Sequence, residues 1–145
     1  MSVDLLIAHT TRKTALVIHH MVVRTATASD ALKIAHIHLE AWCAAYRGQI
    51  PDAILDELDV DRRAAFWQER LTQARGGVFV AQDGDGIMGF CDLIPSRGKD
   101  ADPQVVAEIA AIYVLPQLWR KGAGRALCDT ALAEARRRGY KAVTN

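Results

Sequence analysis

The sequence is poor in the features that tie a chain to an oxidising compartment, a membrane or nucleic acid. Its three cysteines, Cys43, Cys91 and Cys128, are odd in number and widely spaced, with no C-x-x-C, so they suggest neither a disulfide framework nor a zinc site. Reducing cytoplasm is the expected compartment. No apolar run is long enough to span a bilayer, and the N-terminus lacks the basic region, apolar block and small-residue cleavage site of an export signal. A formal charge of +1 gives no general attraction to nucleic acid. The single basic run, Arg136 to Arg138, falls where the last turn of a helix is expected and complements its dipole. Adjacent His19 and His20 would point in opposite directions on an extended chain, which makes them a poor metal pair. There is no internal repeat, no low-complexity tract, no G-x-x-x-x-G-K-[ST] and no full G-x-G-x-x-G. No Cys/His or Ser/His/Asp arrangement has a supporting context.

What is present is the composition of one globular domain: 145 residues, half of them hydrophobic and about a quarter charged. Residues 1–20 carry two short apolar pieces around "HTTRKT" without a helix period, and are expected to be an N-terminal extension. From Met21 the signals sharpen. "VVRTA" reads as a strand, and Thr27 with Asp30 resembles a capping box opening a helix through Ile34, Ile37, Ala41, Trp42 and Ala45, stopped by Gly48 and Pro51. A second helical region comes in two pieces, around "DAILDEL" and through "DRRAAFWQERLTQA", ended by Gly76 and Gly77; at least one of Phe66 and Trp67 should pack on the sheet. "GVFVAQ" and "IMGFCDLI" flank "DGDG", whose Asp-Gly pairs favour a β-hairpin. "VVAEIAAIYVL" is a long strand, and a helix from about Gly122 to Arg138 sets Leu127, Ala131, Leu132 and Ala135 on its apolar side before Gly139. "YKAVTN" begins another strand. The fold class that follows is mixed α/β.

The stretch "VLPQLWRKGAGRALCD" leaves the long strand, passes Pro116 and places Gly122 and Gly124 directly before a helix. Glycines there permit a close backbone approach, and the first N–H groups of a helix have no intrahelical partner. Strand, glycine turn and helix together make an anion site fit for a phosphate.

With this segment the sequence resembles the GNAT superfamily of N-acetyltransferases, from about Met21 to Asn145, through "VVRTATASDA", "HLEAWCAAYRGQIP", "AQDGDGIMGF" and "EIAAIYVLPQLWRKGAGRAL". The resemblance implies a mixed, mostly antiparallel sheet flanked by helices. It also implies acetyl-CoA as acetyl donor, with its pyrophosphate on Trp119, Arg120, Lys121, Gly122, Ala123, Gly124 and Arg125. Its pantetheine arm would lie along Ile112, Tyr113 and Val114. Trp119 stands where the family usually has Gln or Arg, a change that backbone donors tolerate.

Transfer to an amine needs a base. Glu108, in an otherwise apolar strand, is the candidate, expected to share a face with Ala110, Ile112 and Val114 and to have a raised pKa beside a buried cleft; an edge carboxylate in solvent is the alternative. Tyr113 is expected on the opposite face. Trp42, Tyr46 and Arg47 are candidates for the acceptor wall, with Trp42 also a candidate for the core. His38, one turn before Trp42, could approach the same pocket.

The family pattern continues past "YKAVT" with a helix and further strands, and that helix often supplies a tyrosine acid for the departing thiolate; the chain stops at Asn145. The expected domain is therefore 21–145, incomplete at its C-terminus, with an exposed sheet edge that a homodimer could cover. Two readings follow: an N-acetyltransferase acting on a small-molecule amine or a peptide N-terminus, or a non-catalytic acyl-CoA-binding remnant. Neither nucleic acid nor membrane is an expected partner.

Overall fold

The computed structural model describes residues 21–73, 77–84 and 86–145. The extension at 1–20, His19, His20 and the expected stop at Gly76 lie outside them. A five-stranded sheet has the order β1 (Met21–Thr25), β2 (Val78–Asp83), β3 (Gly86–Pro95), β4 (Val106–Val114) and β5 (Ala142–Thr144). The first four strands run antiparallel, joined at β2–β3 by the expected hairpin, with Gly84 at φ +60°. β5 pairs parallel with β4, over Val106–Glu108 alone.

One face is covered by α1 (Ala31–Tyr46) and α3 (Val60–Gln73), with the short α2 (Asp52–Asp56) between them in sequence. There Ile34, Ile37, Trp67 and Leu71 pack on Val78, Val80 and Phe90. Trp67 is the residue of the Phe66–Trp67 pair that reaches the sheet, while Phe66 is exposed. The start of α1 is held from before its first turn: the Asp30 carboxylate accepts the Thr27 backbone N–H at 2.8 Å and two N–H groups of Arg24. On this side Arg70 of α3 pairs with the buried Asp92 of β3, Nη2 to Oδ1, at 2.5 Å.

The opposite face carries α4 (Ala123–Arg137). Its buried stripe is Ala123, Leu127, Ala131 and Ala135, one residue per turn, and these mostly small side chains let the helix lie close on Phe79, Cys91, Leu93, Ala107 and Ile109. Leu132, expected on this stripe, is instead 40% exposed, because it sits one residue round from Ala131 and turns outward.

An irregularity in β4 decides which side chains meet. Its register against β3 jumps from Asp92↔Ala111 to Leu93↔Ile109, so Ala110 is an extra residue, a β-bulge. Strict alternation is broken there. Ala107 and Ile109 face α4 before the bulge, Ile112 and Val114 face it after. Glu108 therefore shares its face with Ala111 and Tyr113, not with Ile112 and Val114, and Tyr113 is not on the opposite side as alternation predicts.

Candidate active site

The loop after β4 opens with a single turn of 3-10 helix at Pro116–Leu118 and then takes two left-handed residues: Arg120 at φ +67° and Gly122 at φ +93°. A non-glycine residue in that region costs of order 1 kcal/mol, which marks the loop as shaped for something other than stability. Gly122 is the N-cap of α4 and, lacking a side chain, caps nothing. The first helical N–H groups that follow have no side-chain acceptor, and no acidic residue stands in the first turn. Arg120 and Lys121 form no ion pair with any described residue. A built Cβ at Gly124 meets only Val114 Cγ2, at 3.9 Å, so what the missing side chain leaves open is space outside the fold.

This helix end adjoins the free part of β4. Because β5 stops pairing at Glu108, no described strand lies beside Ile109–Val114 on the edge away from β3. Leu115 N–H donates to Met88 O at 2.9 Å, and the alternation of an antiparallel ladder then ties Tyr113 main-chain groups to Phe90 and turns those of Ile112 and Val114 outward. The Val114 carbonyl already has a partner: Trp119 Nε1–H donates to it at 2.7 Å. The indole that replaces the expected Gln or Arg thus ties the loop to the strand end. Ile112, Val114, Leu118, Trp119, Arg120, Ala123 and Gly124 enclose a cavity of about 330 Å³. Of the ten residues expected to hold the donor, Ile112, Val114, Trp119, Arg120, Ala123 and Gly124 line this one recess; Lys121 faces a neighbouring apolar cavity of about 660 Å³ with Leu115 and Leu118.

Glu108 lies toward the other end of β4. Its carboxylate accepts the Arg97 backbone N–H at 2.9 Å and Arg97 Nη2–H at 2.6 Å, with the side chain 18% exposed. The guanidinium and the backbone donor hold it below the usual carboxylate range, the reverse of the raised pKa expected from a buried cleft. The cleft wall is not the dominant influence; the arginine is.

On the α1 side, His38, Trp42 and Tyr46 recur every fourth residue and form one stripe of rings. His38 stacks on Tyr113, with ring centroids 4.9 Å apart at 24°, and Trp42 and Tyr46 lie 5.1 Å apart. Trp67 Nε1 donates to His38 Nδ1 at 3.4 Å, which leaves the imidazole proton on Nε2, and burial with the nearby Arg63 charge pushes the His38 pKa down to about 4. Trp42 is half-buried and Tyr46 exposed, so neither is a pure core residue. Arg47, the third residue expected in the acceptor wall, is engaged by Asp52 and Asp56 at the end of α1. The His38–Tyr113 contact escaped sequence reasoning because it depends on the bulge at Ala110; the spacing of His38 from Trp42 was the available signal.

Residues 34–145 match the model of the acetyltransferase (GNAT) family. The chain belongs to that family. An uncharacterised N-acetyltransferase of Bacillus subtilis, YuaI, is 37% identical over 106 residues, 72% of this chain and 58% of the relative. Another, from Mycobacterium tuberculosis, is 33% identical over 85 residues, 59% of this chain and 51% of the relative. The chain thus spans between half and three-fifths of these relatives' length. Among solved structures, aminoglycoside N-acetyltransferase AAC(6')-Iy in complex with CoA superposes with TM-score 0.67 at 18% identity, covering 91% of this chain and 80% of that one. The acetyltransferase yncA of Salmonella typhimurium, described as putative and solved with acetyl-CoA, gives TM-score 0.61 at 26% identity over 83% and 66% of the two chains. The GNAT fold is therefore shared, sheet and flanking helices included.

Proposed function

We propose that this GNAT chain transfers the acetyl group of acetyl-CoA to a primary amine, on a small molecule or a peptide N-terminus, by direct attack within a ternary complex. The observation that carries the reading is the recess where the uncapped N-terminus of α4, Arg120 and the free edge of β4 converge, with Lys121 in the cavity beside it and neither cation ion-paired among the described residues. Backbone N–H groups from Ala123 onward, with Arg120 and Lys121, suit a pyrophosphate; the outward main-chain groups of Ile112 and the Val114 N–H suit the amides of a pantetheine arm. Tyr113 contributes its ring rather than its backbone.

The amine must lose a proton as its nitrogen bonds to the acetyl carbon and the carbon–sulfur bond breaks, leaving a thiolate that takes up a proton. Glu108 is the proton acceptor in this reading. With Arg97 keeping it ionised, it is always ready to accept but is a weak base, which favours relay through water over direct abstraction. Tyr46 and Trp42 line the acceptor side.

The test is calorimetric titration of the chain with acetyl-CoA, with ATP and dephospho-acetyl-CoA as controls, followed by acceptor-dependent release of CoA. Saturable binding that requires the acyl-pantetheine portion, with turnover that rises with added amine, is the expected result. A folded chain that binds no acetyl-CoA would overturn the reading.

A further inference from the structure

The acceptor side of β4 is walled by aromatic rings, and the described carboxylates Asp52, Asp56, Asp92 and Glu108 around it are each held by an arginine. His38, Trp42 and Tyr46 run along one face of α1, and Tyr113 lies under His38, one residue from the outward main-chain groups of Ile112. Phe90 and Trp67 close the back of the stripe, with ring centroids 5.9 and 6.1 Å from His38. Four carboxylates around this face are engaged by arginines. Asp52 and Asp56 hold Arg47, Asp92 holds Arg70, and Glu108 holds Arg97. Glu57 and Asp59 belong to a neighbouring cavity of about 450 Å³, where Arg62 and Arg63 oppose them. Arg63 lies over the Phe66 ring at 5.5 Å and has no ion-pair partner among the described residues.

A ring-lined face of this make-up attracts one kind of amine. Rings offer apolar area and a negative π-face to a single ammonium group. A polyamine or polycationic drug would bring several charges to a place where Asp52, Asp56, Asp92 and Glu108 are each held by an arginine and Arg63 repels them.

We infer that the acceptor is a monoamine with an aromatic body, seated between Trp42, Tyr46 and the His38–Tyr113 stack, and that polycations are rejected there. The inference rests on the acceptor-side reading above.

Calorimetric titrations of phenethylamine, n-butylamine and spermidine into the chain saturated with CoA test it. Phenethylamine should bind about 10- to 100-fold tighter than n-butylamine, the range expected for burying one aromatic ring, with spermidine the weakest of the three. Tyr46→Ala, at an exposed position that the core does not need, and Trp42→Ala should each shrink the ring preference while leaving acetyl-CoA affinity unchanged. Spermidine binding as tightly as phenethylamine, or a ring preference untouched in both variants, would overturn the inference and leave the acetyl-CoA reading intact. Failure of acetyl-CoA itself to bind would remove the function and this inference with it.

Discussion

The two glycines of the loop before α4 have separable jobs, and a pair of substitutions should pull them apart. Gly124 has ordinary helical backbone, and an added Cβ would meet only Val114 Cγ2 at 3.9 Å. Valine at this position has a slightly better helix propensity than glycine, so Gly124→Val should change folding stability by no more than about 1 kcal/mol in either direction. Its methyl groups would nevertheless stand at the mouth of the recess, against the amides that Gly124 leaves bare. Losing one or two charge-assisted hydrogen bonds, at about 1.5–3 kcal/mol each, predicts an acetyl-CoA affinity at least about 10- to 100-fold weaker. Gly122 behaves differently. Its φ of +93° is unfavourable for any side chain, though nothing lies within 4 Å of a built Cβ. Gly122→Ala should cost about 1–2 kcal/mol of stability, a fall in Tm of about 2–8 °C for a domain of this size. Thermal melts paired with calorimetric titration measure both quantities on each variant. A folded Gly124→Val chain with unchanged acetyl-CoA affinity would refute the assignment of this helix end as the pyrophosphate site.

Other consequences can be checked alongside. Arg97→Ala should raise the Glu108 pKa, moving the acid limb of the pH–rate profile to higher pH, since the base would then be protonated sooner as pH falls; an unmoved limb would take Glu108 out of the proton path. Arg70→Met leaves Asp92 mostly buried without its guanidinium and should cost about 3–5 kcal/mol in denaturant unfolding, whereas the double variant with Asp92→Asn should recover much of that loss. His38 titrates near 4 when folded and near 6.5 when unfolded. As pH falls through 6.5 the unfolded chain takes up the proton first, so its stabilising contribution is complete above 6.5 and drains away down to about 4. The full loss is at most about 3 kcal/mol, less what solvent screens at a half-buried ring, and His38→Phe should flatten the slope between pH 6.5 and 4.5.

The sequence by itself determined the elements and the backbone character of the proposed anion site. Hydrophobic period, Thr27 with Asp30, the Asp-Gly hairpin and the terminal Gly139 are local signals, and local backbone preferences act wherever the segment ends up. The pair Gly122 and Gly124 is local too, because an uncapped helix start after a strand suits an anion in any fold that leaves it accessible. Glu108 was legible as an unusual carboxylate in an apolar run, but not its state: the ionisation is set by Arg97, eleven residues away across a turn. Only the tertiary structure decided that partner. It also decided which residues share a face, since a single bulged residue, Ala110, shifts the alternation of β4 and brings Tyr113 beneath His38 while turning Ile112 and Val114 toward α4. A period-two pattern read along one strand has no means of registering an insertion that exists only relative to its neighbour. The link from Trp119 to the Val114 carbonyl is of the same kind: a side-chain donor finds an acceptor because β5 leaves that edge free, and strand pairing is a property of the sheet, not of the segment.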